Sequence, residues 1–391
     1  MNILFLSSWY PYPPDNGSKL RVYNLLRALA KKHTIFLISF AERPPTNPPP
    51  ELKALCQEIY AVPRPAYNPG SARALTGLLS LTPRSVLDTY QPLMAAQIEK
   101  VLQEKAIDLV IASQWRTAAY QTTFAHIPAI YEEVETGVLS SKVTQAASPL
   151  QRLRHYLPLL KLRVYLRRLL PRFQASTVVS EDEKGLLREL VPDYKAVHVV
   201  PNGIYSADYD DVQVTPQPET LIFTGALSYF ANLEGIQWFL SEVYPIVQAE
   251  VSAVKLVITG KNDGISLTTA DNVTLTGFVE DIRPLIASAR VSIAPLLVGG
   301  GTRLKILEAM ALGTPIVTTT KGVEGLRAVD GEHLLIADTP AQFADAVIRL
   351  LQDGKLCRKL ADNSCRLVRQ QYDWSVIMPD FMKLTEEVIH V

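Results

Sequence analysis

The run Gly299-Gly300-Gly301-Thr302-Arg303-Leu304-Lys305-Ile306-Leu307-Glu308 gathers three glycines, two cations and a carboxylate around the start of one helix. Glycines let a backbone approach a ligand closely and adopt angles that side chains forbid. The helix that follows offers unpaired N–H groups and partial positive charge, which suit a phosphate. Arg303 and Lys305 in its first turn add full charges, and an arginine fork can grip two phosphate oxygens. Glu308, one turn deeper, can accept two hydroxyls of a ribose. Each part also has an ordinary explanation: a tight turn, solvated helix charges, or a Lys305–Glu308 pair at i, i+3. Short motifs mislead singly, and it is their combination that reads as a site for a sugar nucleotide.

Positioning such a group is the work of βα units. Short apolar runs alternate with helical patterns along the chain, which predicts parallel sheets. The first strand is read at residues 2–7, followed by a helix over 19–31 whose apolar face is Leu20, Tyr23, Leu26, Leu29 and Ala30. Further strands are expected at 34–40, 109–112, 129–132, 177–180 and 196–200, and a stiff proline-rich connection at 44–50. The polar stretch 213–219 is the best linker candidate. A second series then begins, with strands at 221–224, 255–259, 273–276, 291–294 and 316–319 and helices at 233–248, 282–288, 303–312 and 341–351. The fold class expected is α/β, two similar halves facing across a cleft, with ligands at the carboxyl ends of the strands.

Composition bounds the function. A chain of 391 residues, 48% apolar and 20% charged, is long enough for two cores. Its 39 basic and 39 acidic side chains give no global attraction to nucleic acid. Three cysteines form no disulfide framework and fit a reducing compartment. Cys357 and Cys365 cannot bridge if they share a helix, since eight residues separate them by about 12 Å. No metal-type spacing occurs among the cysteines and six histidines. No apolar run approaches the roughly 20 residues of a membrane helix. The opening residues lack a basic region and read as a buried strand rather than a signal peptide, so the expected location is cytoplasmic. A dehydrogenase is disfavoured because no G-x-G-x-x-G follows the first strand.

The glycine-loop segment, with Leu307-Glu308-Ala309-Met310-Ala311 and Gly313-Thr314-Pro315, resembles the donor-site signature of glycosyltransferase family 4, enzymes of the two-domain GT-B fold. Val200-Pro201-Asn202-Gly203-Ile204, Val178-Val179-Ser180-Glu181, Phe223-Thr224-Gly225 and Val273-Thr274-Leu275-Thr276-Gly277-Phe278-Val279 carry the likeness along nearly the whole chain. The resemblance implies an acceptor-side domain over 1–205 and a donor domain over 206–374, with a last helix over 375–391 crossing back, anchored by Trp374 and Phe381. It implies a retaining transfer from a nucleoside-diphosphate sugar to a hydroxyl of a glycan or lipid-linked glycan, with no cofactor and no required metal. Arg303, Lys305 and Glu308 then carry the chemistry. Gly299, Gly300, Gly301, Thr302, Gly225 and Gly322 line the donor, and Phe278 and Val279 hold the base. Gly17, Glu133 and Glu135 face the acceptor, the glutamates as hydroxyl ligands or base.

Three positions depart from the family pattern. Residues 226–232 lack the Arg and Lys that many members use on the diphosphate, so Arg303 and Lys305 are expected to replace them. Gly300 stands where the motif commonly has a first glutamate. Residues 130–137 hold no histidine where many members have one. A non-catalytic nucleotide-sugar-binding subunit, or an epimerase of the same fold, are the alternative readings.

Residues 151–172 carry Arg152, Arg154, Lys161, Arg163, Arg167, Arg168 and Arg172 with no acidic residue among them. Such a stretch suits the surface of an anionic membrane, or a connecting helix whose arginine stems cover the domain. Pro158 and Pro171 are expected to interrupt any single helix there.

Overall fold

The computed structural model describes residues 1–136, 148–262, 264–265, 267, 271–299 and 303–390. The chain divides into two compact units, Met1–Pro201 with Met378–Val391, and Asn202–Ile377. The helix Trp374–Ile389 begins in the second unit and ends in the first. Trp374 and Phe381 are both fully buried on it.

The first unit is built on seven parallel strands: β1 Asn2–Ser7, β2 Thr34–Ala41, β3 Glu58–Pro63, β4 Leu109–Ser113, β5 Ala129–Glu132, β6 Ala175–Val178 and β7 Val197–Val199, in the order β3-β2-β1-β4-β5-β6-β7. Ile3, Leu4, Phe5 and Leu6 are all fully buried, so β1 has core on both faces, as a helix-covered parallel strand must. The helix Gly17–Leu29 follows it, capped by Asn16, whose Oδ1 accepts the Lys19 N–H at 3.0 Å. Its buried face is Arg21, Val22, Asn24, Leu25, Leu26, Ala28 and Leu29, rotated from the face read in the sequence. Leu20, Tyr23 and Ala30 are only half-buried, because the helix turns Arg21 inward to a buried carboxylate. The edge strand β3 ends in a proline, a residue that central strands exclude, and its polar ends hide it from apolar-run reading.

The cationic stretch forms one helix, Pro149–Leu169, which runs through Pro158. That is a correction to the expected break. Proline leaves the Arg154 carbonyl without its helical donor, and because Arg154 is exposed, water can satisfy that oxygen. Pro171 does end the helix, inside the turn Leu170–Arg172.

The second unit repeats the plan with β8 Gln217–Thr224, β9 Lys255–Thr259, β10 Val273–Gly277, β11 Ala289–Ala294, β12 Ile316–Thr318 and β13 Leu335–Ile336, all parallel, in the order β10-β9-β8-β11-β12-β13. The stretch read as a linker runs into β8. The units part earlier, at Pro201/Asn202. There Ile204 N–H donates to Tyr372 O (2.9 Å) and Trp374 N–H to Ile204 O (3.0 Å), and a Cβ on Gly203 would lie 2.5 Å from the Tyr372 carbonyl oxygen. Only glycine permits the two passages to run so close. Among the described residues no helix is long and apolar enough to cross a membrane.

Candidate functional site

In each sheet the strand order reverses direction at one place, between β1 and β4 in the first unit and between β8 and β11 in the second. Ligands of open α/β sheets bind outside the carboxyl ends of strands at such switch points.

In the second unit those carboxyl ends carry almost no side chain. Gly225 follows β8, Gly260 follows β9 and Gly277 ends β10, with φ of 139°, 138° and 70°. Gly225 N–H donates to Thr259 O, and Gly260 N–H to Gly277 O, both at 2.9 Å, so the three glycines form one continuous shelf. A Cβ on Gly260 would sit 2.3 Å from the Gly225 carbonyl oxygen. Gly260 was missed in the sequence reading, where Thr259-Gly260 looks like any strand end.

Lys305 lies against this shelf. Its Nζ donates to Asn232 Oδ1 at 2.8 Å and stands 4.5 Å from the centroid of the Phe223 ring. A Cβ on Gly225 would meet Asn232 Nδ2 at 2.6 Å and Lys305 Nζ at 2.8 Å. Burial, helped by the charge of Arg303, lowers the Lys305 ammonium to about 7. A lysine held this way gains most when an anion arrives.

Arg303 is not in the first helical turn as read but at the N-cap of Leu304–Ala311. It is 6% exposed, and its Nη2 donates to the carbonyls of Gly299 (3.0 Å) and Lys321 (3.2 Å). Through Nη2 the guanidinium thus ties Gly299 to the segment after β12. Gly299 has φ of 108° and would bring a Cβ to 3.2 Å from Tyr229 Oη. Gly300, Gly301 and Thr302 lie outside the described residues.

Glu308 accepts a hydrogen bond from Tyr209 Oη at 3.3 Å, and burial raises its carboxyl to about 7. Tyr209 comes from the turn Ser206–Tyr209, a hundred residues earlier, and nothing local in the sequence marks it. Lys305 turns to Asn232 rather than pairing with Glu308 as the helix spacing had allowed.

Gly322 is buried for packing. Its N–H donates to Thr319 Oγ1 (2.9 Å), and a Cβ there would clash with Thr318 Oγ1 at 2.0 Å. Its N–H is therefore already used. Phe278 is 55% exposed just past β10, with Lys261 Nζ 5.3 Å from its ring centroid, and Val279 is half-buried beside it. An exposed aromatic at that edge can stack on a base. Among the described residues no group of three or more metal-type side chains occurs.

The first unit has its own polar cluster at the switch point. Glu132, ending β5, is fully buried, taking Arg21 Nε at 2.6 Å and Ser113 Oγ at 2.6 Å. Glu133 follows with φ of 57° and accepts from Gln114 Nε2 at 2.8 Å, while its own N–H donates to Thr177 Oγ1. Burial first, and the adjoining Glu132 carboxylate second, push the Glu133 carboxyl well above the usual range. Glu135 is exposed, and its charge adds to the rise of the Glu133 carboxyl. Gly17 opens the helix that carries Arg21. Arg21, Glu132 and Gln114 were not singled out, though an arginine inside an otherwise apolar helical face is a readable sign of a buried partner.

Residues 218–353 match the family described as "Glycosyl transferases group 1", and residues 16–203 match "Glycosyl transferase 4-like domain". Among curated proteins, the chain is 30% identical over 207 residues to phosphatidyl-myo-inositol mannosyltransferase of Mycobacterium leprae, covering 48% of this chain and 53% of that protein. It is 29% identical over 174 residues to an uncharacterized 44.6 kDa protein in the cps region of Klebsiella pneumoniae, covering 42% and 45%. The chain therefore spans about half the length of the curated relatives it matches. Among solved structures, sucrose-phosphate synthase from Thermosynechococcus elongatus aligns over 100% of both chains with a TM-score of 0.74 at 18% identity. Anabaena Alr3699/HepE in complex with UDP and glucose aligns over 99% and 100%, with a TM-score of 0.65 at 15% identity.

Proposed function

Because the chain belongs to the group 1 glycosyltransferases and has the GT-B fold, we propose that it transfers a sugar from a nucleoside-diphosphate donor to a hydroxyl of a glycan or lipid-linked glycan. The observation that carries this reading is the glycine shelf of β8, β9 and β10 with Lys305 against it. With no side chains in the way, the shelf lets a diphosphate come close to the carboxyl ends of β8 and β9, and Lys305 supplies the charge. HepE, with the same fold, was solved with UDP and glucose and with UDP-glucose, which supports a donor of this class.

In the proposed step an acceptor oxygen forms a bond to the anomeric carbon, and the bond from that carbon to the diphosphate oxygen breaks. The acceptor attacks the face that the diphosphate leaves, so the diphosphate departs with the electron pair and takes the acceptor's proton; no separate base is needed, and the configuration is retained. Charge grows on the leaving group, where a preorganised Lys305 helps most. Arg303 caps the helix that carries Lys305 and ties it to Gly299 and Lys321, and Glu308 receives ribose hydroxyls in place of the Tyr209 bond. Glu133 binds the acceptor hydroxyl. No metal is assigned a part. Under chelation, incubation of a lipid-linked glycan acceptor with UDP-, GDP-, ADP- and dTDP-hexoses is expected to release nucleoside diphosphate from one of them, and a pure binding subunit releases none.

The acceptor side adds a proposal about location, at the cytoplasmic face of an anionic membrane. Leu150, Leu153 and Leu157 on the arginine-rich helix are 78%, 56% and 54% exposed. Lys161 on that helix donates to the carbonyls of Gly77 (3.0 Å) and Leu78 (2.7 Å), which brings in a second segment with Leu75, Leu78, Leu79 and Leu81 exposed. Apolar side chains flanked by unopposed cations fit an interface where each cation adds about 1 kcal/mol. Co-sedimentation with anionic vesicles is expected, weakening with salt and lost in Leu79→Asp/Leu153→Asp. Equal binding to neutral vesicles, or no effect of the double substitution, would refute the surface.

A further inference from the structure

The carboxyl edge of the first sheet holds two cations that no donor chemistry uses. Arg64 directly follows β3, its N–H extending the ladder to Ala41 O at 2.8 Å. Its guanidinium lies over Trp9, with Cζ 3.6 Å from the ring centroid, and Trp9 stands two residues past β1. Arg116 comes from the turn of helix Gln114–Ala118 after β4 and sends Nη1 to the carbonyl of Pro65 at 3.3 Å. Pro65 is the neighbour of Arg64, so the two arginines come from the ends of strands that are not adjacent, and the charge of one acts on the other. Burial, and then the Arg64 charge, lower Arg116 to about 10.

Their counter-charge is thin. Arg64 Nη1 has Glu42 Oε1 at 3.3 Å, but that carboxylate is 81% exposed, and such pairs contribute little. Two like charges, each half-buried, raise each other's energy, and an anion between them removes the cost. The neighbourhood is also strained. Trp9 Nε1 donates to Gln114 Oε1 (3.0 Å) and Gln114 Nε2 to Glu133, and both Gln114 (φ 67°) and Glu133 (φ 57°) hold left-handed backbone. Each costs about 1–3 kcal/mol, a strain that collects at ligand sites. Arg64, Trp9, Gln114 and Glu133 thus form one linked row along the carboxyl ends of β3, β1, β4 and β5.

We propose that Arg64 and Arg116 form an anion site for a phosphate group on the acceptor, the rest of which runs along Trp9 and Gln114 toward Glu133. Two guanidiniums close enough for one charge to act on the other suit a phosphomonoester or a diphosphate better than a carboxylate, which has fewer oxygens to offer. Naming the acceptor as the carrier rests on the transferase reading, whereas the anion site itself does not.

The test titrates inorganic pyrophosphate into the full chain and into Arg64→Gln/Arg116→Gln, followed by calorimetry. The wild type is expected to bind at two places, the donor shelf and this one, and the double variant to lose one of them. Lys305→Met should lose the other, which separates failure of this site from failure of the donor reading. Should the double variant fold poorly, Arg64→Gln alone serves, since its carboxylate partner is exposed. Glucose 1-phosphate and neutral vesicles doped with a polyprenyl phosphate then distinguish the carrier. A loss of at least about tenfold on either probe supports the site and names its source, soluble or lipid. Pyrophosphate binding of unchanged stoichiometry and affinity in the folded double variant would overturn it.

Discussion

Gly225→Ala is expected to abolish donor binding while leaving the protein folded. The added methyl would lie 2.6 Å from Asn232 Nδ2 and 2.8 Å from Lys305 Nζ, distances that real contacts do not sustain. It must either displace the lysine or move the β8 carboxyl end, and both ruin the shelf. Backbone at φ of 139° is unfavourable for an L side chain, so a stability loss of about 1–3 kcal/mol accompanies the change. Calorimetric titration with the nucleoside diphosphate of the wild-type donor should show no heat in the variant. Gly264→Ala is a useful control, because it also has positive φ, at 80°, but open space around it. If Gly225→Ala binds donor like the wild type, the shelf is not the donor's seat.

The second large effect concerns Lys305 and pH. Free Lys305 sits at about 7, and a bound diphosphate raises that value. Lys305 therefore favours binding fully below about pH 7, and its contribution falls as pH rises through the range between its free and bound values, by up to about tenfold per unit. Glu308 also sits at about 7, with burial as the first cause. Accepting ribose hydroxyls favours its charged form, so its contribution grows with pH up to about 7 and then levels off. The two signs together give a bell-shaped affinity profile centred near neutrality. Lys305→Met is expected to lower affinity by about 10–100-fold, from the loss of charge-assisted bonds, and turnover by about 10²–10³. It should also erase the alkaline limb and keep the acid one. A profile whose alkaline limb persists in Lys305→Met assigns that limb to another group.

Much of this was legible in the chain because βα units announce themselves. Continuous apolar runs such as Leu4 to Leu6 or Leu221 to Phe223 admit few readings once helical patterns separate them, and they place Gly225 and Lys305 at strand and helix ends. The chemistry around them was less legible because it is non-local. Tyr209 reaches Glu308, Asn232 reaches Lys305, and Arg21 reaches Glu132 across stretches that only the sheet order brings together. Side-chain direction was also beyond the pattern. The place of Arg303 before a helix gave no sign that the carbonyls of Gly299 and Lys321 would accept from its Nη2. The helix face of Gly17–Leu29 was misread for a related reason: periodicity counts apolar residues, and here a buried ion pair takes one of the inward positions. Pro158 misled because its penalty is small where the abandoned carbonyl meets water.

The most direct test of the central claim is donor cleavage followed by proton NMR in the presence of a chelator. Wild-type protein is incubated with the UDP-, GDP-, ADP- and dTDP-hexoses, with and without a lipid-linked glycan acceptor. One donor is expected to yield its nucleoside diphosphate, the first-formed product to keep the donor's anomeric configuration, and Lys305→Met to slow the release by about 10²–10³. Release of no nucleotide from any donor by folded protein, or a product of inverted configuration, would contradict the central claim.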